Sequence, residues 1–89
     1  MKQPITKFGA AIQKERHKRN LSQRDVARAT KISSPYMNQM EVSDYAPDPF
    51  YVVRVAEFFG IESARWLKLA LPEQFKLWSE ALRDRDAAG

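Results

Sequence analysis

Eighty-nine residues make room for one small domain, and 44% hydrophobic residues are enough to give it a core. With no cysteine, disulfides and thiolate metal sites are excluded; the longest uncharged run, nine residues at 32–40, is too short for a membrane-spanning helix or a secretory h-region, and the expected location is the cytoplasm. Net charge is +4 but lopsided: residues 1–34 carry nine Lys and Arg against Glu15 and Asp25, for +7, whereas residues 35–89 come to −3, so a polyanion is a natural partner for the first part of the chain. On charge alone, a solvated basic face on an ordinary domain stays open as the alternative.

Residues 1–5 read as a flexible arm, from which Lys2 can reach a phosphate. Residues 6–19 predict a first helix: Thr6 is an N-cap, and Phe8, Ala11, Ile12 and Arg16 fall on one stripe at i, i+3 and i+4. An arginine that ends an inward stripe needs a carboxylate. Glu41 ends the inward stripe of a later helix in the same way, so the two are expected to form a structural ion pair, with snorkelling surface side chains as the alternative.

Residues 21–41, LSQRDVARATKISSPYMNQME, read as two short helices with a tight turn between them. Ser22 and Asp25 have capping-box spacing, and Val26, Ala27 and Thr30 share one side. Ser33 caps the second helix with Pro35 in its first turn, where a missing N–H is harmless. Helices this short need others packed on them. The layout is that of a helix-turn-helix whose second helix enters the DNA major groove.

Asp48 and Pro49 start a fourth helix with Val52, Val55, Ala56 and Phe59 inward, and Gly60 suits its left-handed end. A fifth follows at about 63–70, with Trp66, Leu67 and Leu71 apolar, and Pro72 starts a last one, to about residue 84, before a fraying end from residue 83. The chain is therefore expected to be all-α: a helix-turn-helix domain at 6–71, and a C-terminal helix and tail at 72–89 as a candidate dimerisation element.

At about 100° per residue, with Met37 toward the core at 0°, Gln39 falls at about 200°, Pro35 at about 160° and Asn38 at about 100°. Gln39 thus points toward base edges; Gln and Asn bond adenine N6 and N7 as a pair, and Pro35 can press on a thymine methyl. Ser33, Ser34, Tyr36 and Asn38 flank this face. Gln23, at the first position of its helix, suits a phosphate, and Lys14, Lys18, Arg24 and Lys31 are backbone-contact candidates by charge. One histidine, His17, and three glycines leave no metal site, phosphate loop, catalytic set, cofactor site or evident small-molecule site, so an enzyme is not expected.

The stretch resembles the helix-turn-helix of the Cro/cI-type (XRE) family of bacterial and phage transcription regulators. Leu21-Ser22-Gln23, Val26-Ala27, Ile32-Ser33, Tyr36-Met37 and Met40-Glu41 stand in the family's register, and Pro47, Val52, Val55, Ala56, Phe59, Gly60 and Ile61 keep its downstream spacing. Lys31 and Ser43 replace two turn glycines, and Asp44 stands where basic residues are frequent. The resemblance implies a five-helix, lambda-repressor-like domain, here with an added C-terminal helix. It also implies an Arg–Glu pair at 16 and 41, and a glutamine at 23 that touches phosphate and braces the recognition helix.

The resulting expectation is a sequence-specific regulator of double-stranded DNA, a repressor that binds palindromic operators as a homodimer. Phage and mobile-element circuits are the family's habit, with control by the protein's own concentration. The apolar surplus Trp66, Leu69, Leu71, Phe75, Leu77, Trp78 and Leu82 is the expected dimer interface, with a last helix folded back on the first as the alternative. The rival from another class is a protein-interaction module, such as the antitoxin of a toxin–antitoxin pair.

Overall fold

The computed structural model describes residues 3–88, with side chains to residue 83; the proposed reach of Lys2 lies outside the described residues. It is all-helical, with no strand among the described residues: α1 Lys7–Lys18, α2 Gln23–Thr30, α3 Ser34–Val42, α4 Pro49–Phe59, α5 Ser63–Ala70 and α6 Pro72–Ala88.

Each start has a local cause. The Thr6 hydroxyl accepts the Gly9 N–H, and the Asp48 carboxylate accepts that of Phe50 beside Pro49. Ser22 and Asp25 close a reciprocal capping box, and the Ser22 N–H and hydroxyl hold the Asp25 carboxyl below the usual aspartate range. The Ser33 hydroxyl accepts the Tyr36 N–H. Helix ends depend more on tertiary contacts. Lys31 sits in the left-handed region at φ 58°, where a lysine is strained by about 1 kcal/mol. Arg54 of α4 reaches back over this turn, Nη1 donating to the Thr30 carbonyl at 3.1 Å, while its guanidinium lies over the Tyr51 ring. Arg19 likewise donates to the Phe59 carbonyl at 2.8 Å and pairs with Glu15, which holds the Glu15 carboxyl low. Ser43 keeps an extended backbone, φ −110°, so no glycine is needed there.

The core joins Phe8 and Ile12 of α1, Val26 and Ala27 of α2, Met37 and Met40 of α3, and Val52, Val55, Ala56 and Phe59 of α4. Trp66 of α5 closes it, meeting Phe8 and Phe59 edge-on with ring centres 5.7 and 5.8 Å away. Thr30 is buried but donates to the Val26 carbonyl, and among the described residues no buried side-chain polar atom lacks a partner.

Two expectations change here. Helix α6 runs to Ala88 rather than ending near residue 84, because residues 81–88 are mostly good helix formers and no glycine or proline intervenes. It packs on α5, and it gives the molecule its length: the extents are 48 × 22 × 21 Å. The expected dimer surface also shrinks. Trp66 and Leu71 are each only 3% exposed, both enclosed by their own chain, and neither side chain is free to meet a partner. Phe75 is half-buried, while Leu69, Leu77, Trp78 and Leu82 are exposed.

Candidate nucleic-acid interface

Helix α3 is fastened from below. Arg16 of α1 meets Glu41 of α3 in a two-pronged pair, Nε to Oε1 at 2.7 Å and Nη2 to Oε2 at 2.8 Å, and its third nitrogen donates to the Leu21 carbonyl at 2.8 Å. Glu41 is 1% exposed and Arg16 8%, so the pair is dry, and its hydrogen bonds compensate the loss of hydration. The approach of the two helices is closest at Gly9: a Cβ there would lie 2.0 Å from the Glu41 carbonyl oxygen. The sequence carries a trace of this, since a glycine inside a predicted helix gives up about 1 kcal/mol against alanine and so marks a close approach.

A second polar layer lies above the pair. Gln23 Nε2 donates to Glu41 Oε2 at 2.9 Å, and Asn38 Nδ2 donates to Gln23 Oε1 at 2.9 Å. The Gln23 side chain therefore braces α3, as the resemblance implied, with one of its two amide hydrogens. Its backbone N–H, at the start of α2 next to exposed Arg24, also suits a phosphate.

The outer side of α3 presents Ser34, Pro35, Asn38 and Gln39, all exposed, while Met37, Met40 and Glu41 are buried. Ser33 is exposed but its hydroxyl serves as the cap. Tyr36 has other employment: its hydroxyl accepts the Asp48 N–H at 2.8 Å and its ring sits edge-on to Tyr51 at 4.8 Å, which ties α3 to the start of α4 and leaves Tyr36 half-buried.

Beside α3 runs a groove of about 600 Å³, walled by Gln23 and Arg24 of α2, Asn38 of α3, and Gln13 and His17 of α1. Gln13 and His17 were not singled out as contact candidates from sequence; they are four apart, on the same side of α1 as Arg16, and that spacing is the signal that places them here. Lys14 is not brought to this face. It lines a separate hollow with Ile61, Arg65 and Leu69 against α5, because it stands about 200° around α1 from Arg16. The candidate surface beside α3 thus combines neutral amides and hydroxyls with the Arg24 guanidinium, groups that can exchange hydrogen bonds with base edges and phosphates.

A family model described as Helix-turn-helix matches residues 12–67, more than half of the chain, and the match spans the α2–α3 pair and the helices that enclose it. No curated protein and no solved structure matches the chain significantly. Among the described residues no helix is long and apolar enough to cross a membrane.

Proposed function

The chain belongs to the Cro/cI-type helix-turn-helix family of DNA-binding transcription regulators, and from that premise we propose that it is a cytoplasmic repressor occupying palindromic operator DNA as a homodimer. The observation that carries this reading is the outer side of α3. Exposed Ser34, Pro35 and Gln39 stand on a helix whose inner side is fixed by a dry ion pair, so its base-reading groups are held in place before DNA arrives. Gln39 is the principal reader, suited to adenine; Arg24 and the start of α2 take phosphates. Repression then asks nothing more than occupancy that keeps another protein off the same DNA.

The dimer is supported by α6. Its apolar stripe starts in the chain's own core at Leu71 and half-buried Phe75, then continues past the end of α5 to Trp78 and Leu82, which are 41% and 60% exposed. Gln74, Ser79 and Ala81, which flank the stripe around Trp78, are uncharged. One small domain reads too few base pairs for a selective address; two copies double the contact and impose a two-fold site.

Selection of bound duplexes from random DNA, followed by the mass of the selected complex, tests the reading. The expected result is a palindrome with half-site centres about 10 bp apart and two chains per duplex. One unrepeated half-site carrying one chain would contradict the dimer and assign the α6 stripe to a different partner protein, as in the antitoxin reading.

A further inference from the structure

We propose that Asn38 reads a base bearing an exocyclic amino group, adenine or cytosine, and that the buried Arg16–Glu41 pair sets this preference by fixing the Asn38 amide through Gln23. The proposal rests on the reading of α3 as a major-groove helix and adds to it a second reader with a defined polarity.

Donors and acceptors fix the order of these groups. A guanidinium has only donors and a carboxylate only acceptors. Glu41 Oε2 already receives Arg16 Nη2 at 2.8 Å, and the Gln23 side chain approaches the same oxygen at 2.9 Å. Only the NH₂ end of Gln23 can make that approach; its carbonyl oxygen would face a carboxylate oxygen. The Gln23 carbonyl must then point the other way, outward, where the Asn38 amide lies 2.9 Å from it. Facing a carbonyl, Asn38 in turn must offer its own NH₂. An amide that could ordinarily turn over is thereby held in one sense by a charge three links away, and the same order follows from chemistry alone, whichever way the amides are drawn.

Among the described residues Asn38 Oδ1 has no hydrogen-bond partner, and Asn38 is exposed at the groove shared by Arg24, Gln13 and His17. A fixed, free carbonyl oxygen selects its ligand. Phosphate oxygens, guanine O6 and N7, and thymine O4 are all acceptors and give it nothing. Adenine N6 and cytosine N4 are the donors displayed in the major groove. The remaining Asn38 N–H is left for an acceptor such as adenine N7. Glu41 and Gln23 are positioning residues in this scheme: neither has to touch the base it helps to choose.

The test uses the full chain and its selected duplex, with each base pair of one half-site changed in turn and affinities compared as ratios. The wild-type protein is expected to prefer, by about tenfold at one base pair, the base that carries its exocyclic amino group over the same base without it, adenine over purine or cytosine over 2-pyrimidinone. Asn38→Ala should abolish the preference there. Gln23→Met, which leaves the Arg16–Glu41 pair in place, should shrink it several-fold at that position alone and leave the Gln39 position unchanged; Glu41→Gln should do the same where the variant folds. If Asn38→Ala relaxes the position but Gln23→Met does not, Asn38 reads unaided and the positioning claim fails. Equal affinity for the base with and without its exocyclic amino group, at the position that Asn38→Ala relaxes, would overturn the polarity. A site altered by Gln39→Ala but not by Asn38→Ala would defeat this proposal while the reading of α3 stands; a site altered by neither would defeat both.

Discussion

The root of α3 and the outer half of α6 are opposite solutions to the same problem. At the root of α3, two charged groups sit where water is excluded, and each is satisfied inside the chain: Arg16 by Glu41 and the Leu21 carbonyl, Glu41 by Arg16 and Gln23. Along outer α6, apolar groups face water: Trp78 is 41% exposed and Leu82 60%. One region is closed and fixes geometry; the other is open. Under the proposed function the difference separates two tasks, since aiming a reading helix needs rigidity within one chain, whereas pairing two half-sites needs a surface left unfinished.

The largest effects are expected at the closed end. Arg16→Ala leaves the Glu41 carboxylate buried without its main partner and should cost about 3–5 kcal/mol of unfolding free energy, measured by urea denaturation. A double-mutant cycle with Glu41→Ala should return a coupling on the order of 2 kcal/mol; no coupling would mean the pair does not act as a unit. Gly9→Ala comes next. The added methyl meets the Glu41 carbonyl oxygen at 2.0 Å, so α1 and α3 must part, and the expected loss of about 2–3 kcal/mol outweighs alanine's better helix propensity. An unchanged or raised melting temperature in that variant would show that the helices are not in backbone contact.

Smaller effects sharpen the contrast. Lys31→Gly relieves the left-handed strain at the turn between α2 and α3 and should stabilise by up to about 1 kcal/mol, less what the more flexible unfolded chain takes back. A loss instead would place the strain elsewhere. Leu82→Glu should move the unfolding free energy of a single chain by no more than about 0.5 kcal/mol, because its side chain is solvated there. The same change should shift the mass in solution from dimer to monomer; sedimentation that is insensitive to it would remove outer α6 from the assembly.

The two regions were also unequally legible in the sequence. Helix starts are written locally, so Thr6, Ser22 with Asp25, Ser33, and Asp48 with Pro49 announce themselves, and the inward stripes ending in Arg16 and Glu41 name each other as partners. What depends on how far two helices approach is not written in any local period. Gly9 against the Glu41 carbonyl, Arg54 over the end of α2, and the Tyr36 hydroxyl on Asp48 all join residues distant in the chain. So does the step from Gln23 to Asn38, which gives the bracing of α3 that the resemblance implied its partner. At the open end, an apolar stripe looks the same whether it is covered or not. Trp66 and Leu71 belong to it by spacing, yet they lie where α5 and α6 fold over the core, and only the residues beyond that fold remain free.

The most direct measurement of the account is the base preference of Gln39, the exposed side chain that points most nearly away from the core on the braced helix. Binding of wild type and Gln39→Ala to the selected operator, and to duplexes changed one base pair at a time, separates reading from mere adhesion. Gln39→Ala is expected to lose about 1–3 kcal/mol on the operator and to become indifferent at one base pair in each half-site, with binding to unrelated DNA unaltered. Equal affinities and an unchanged selected sequence would show that α3 does not present this side to the bases.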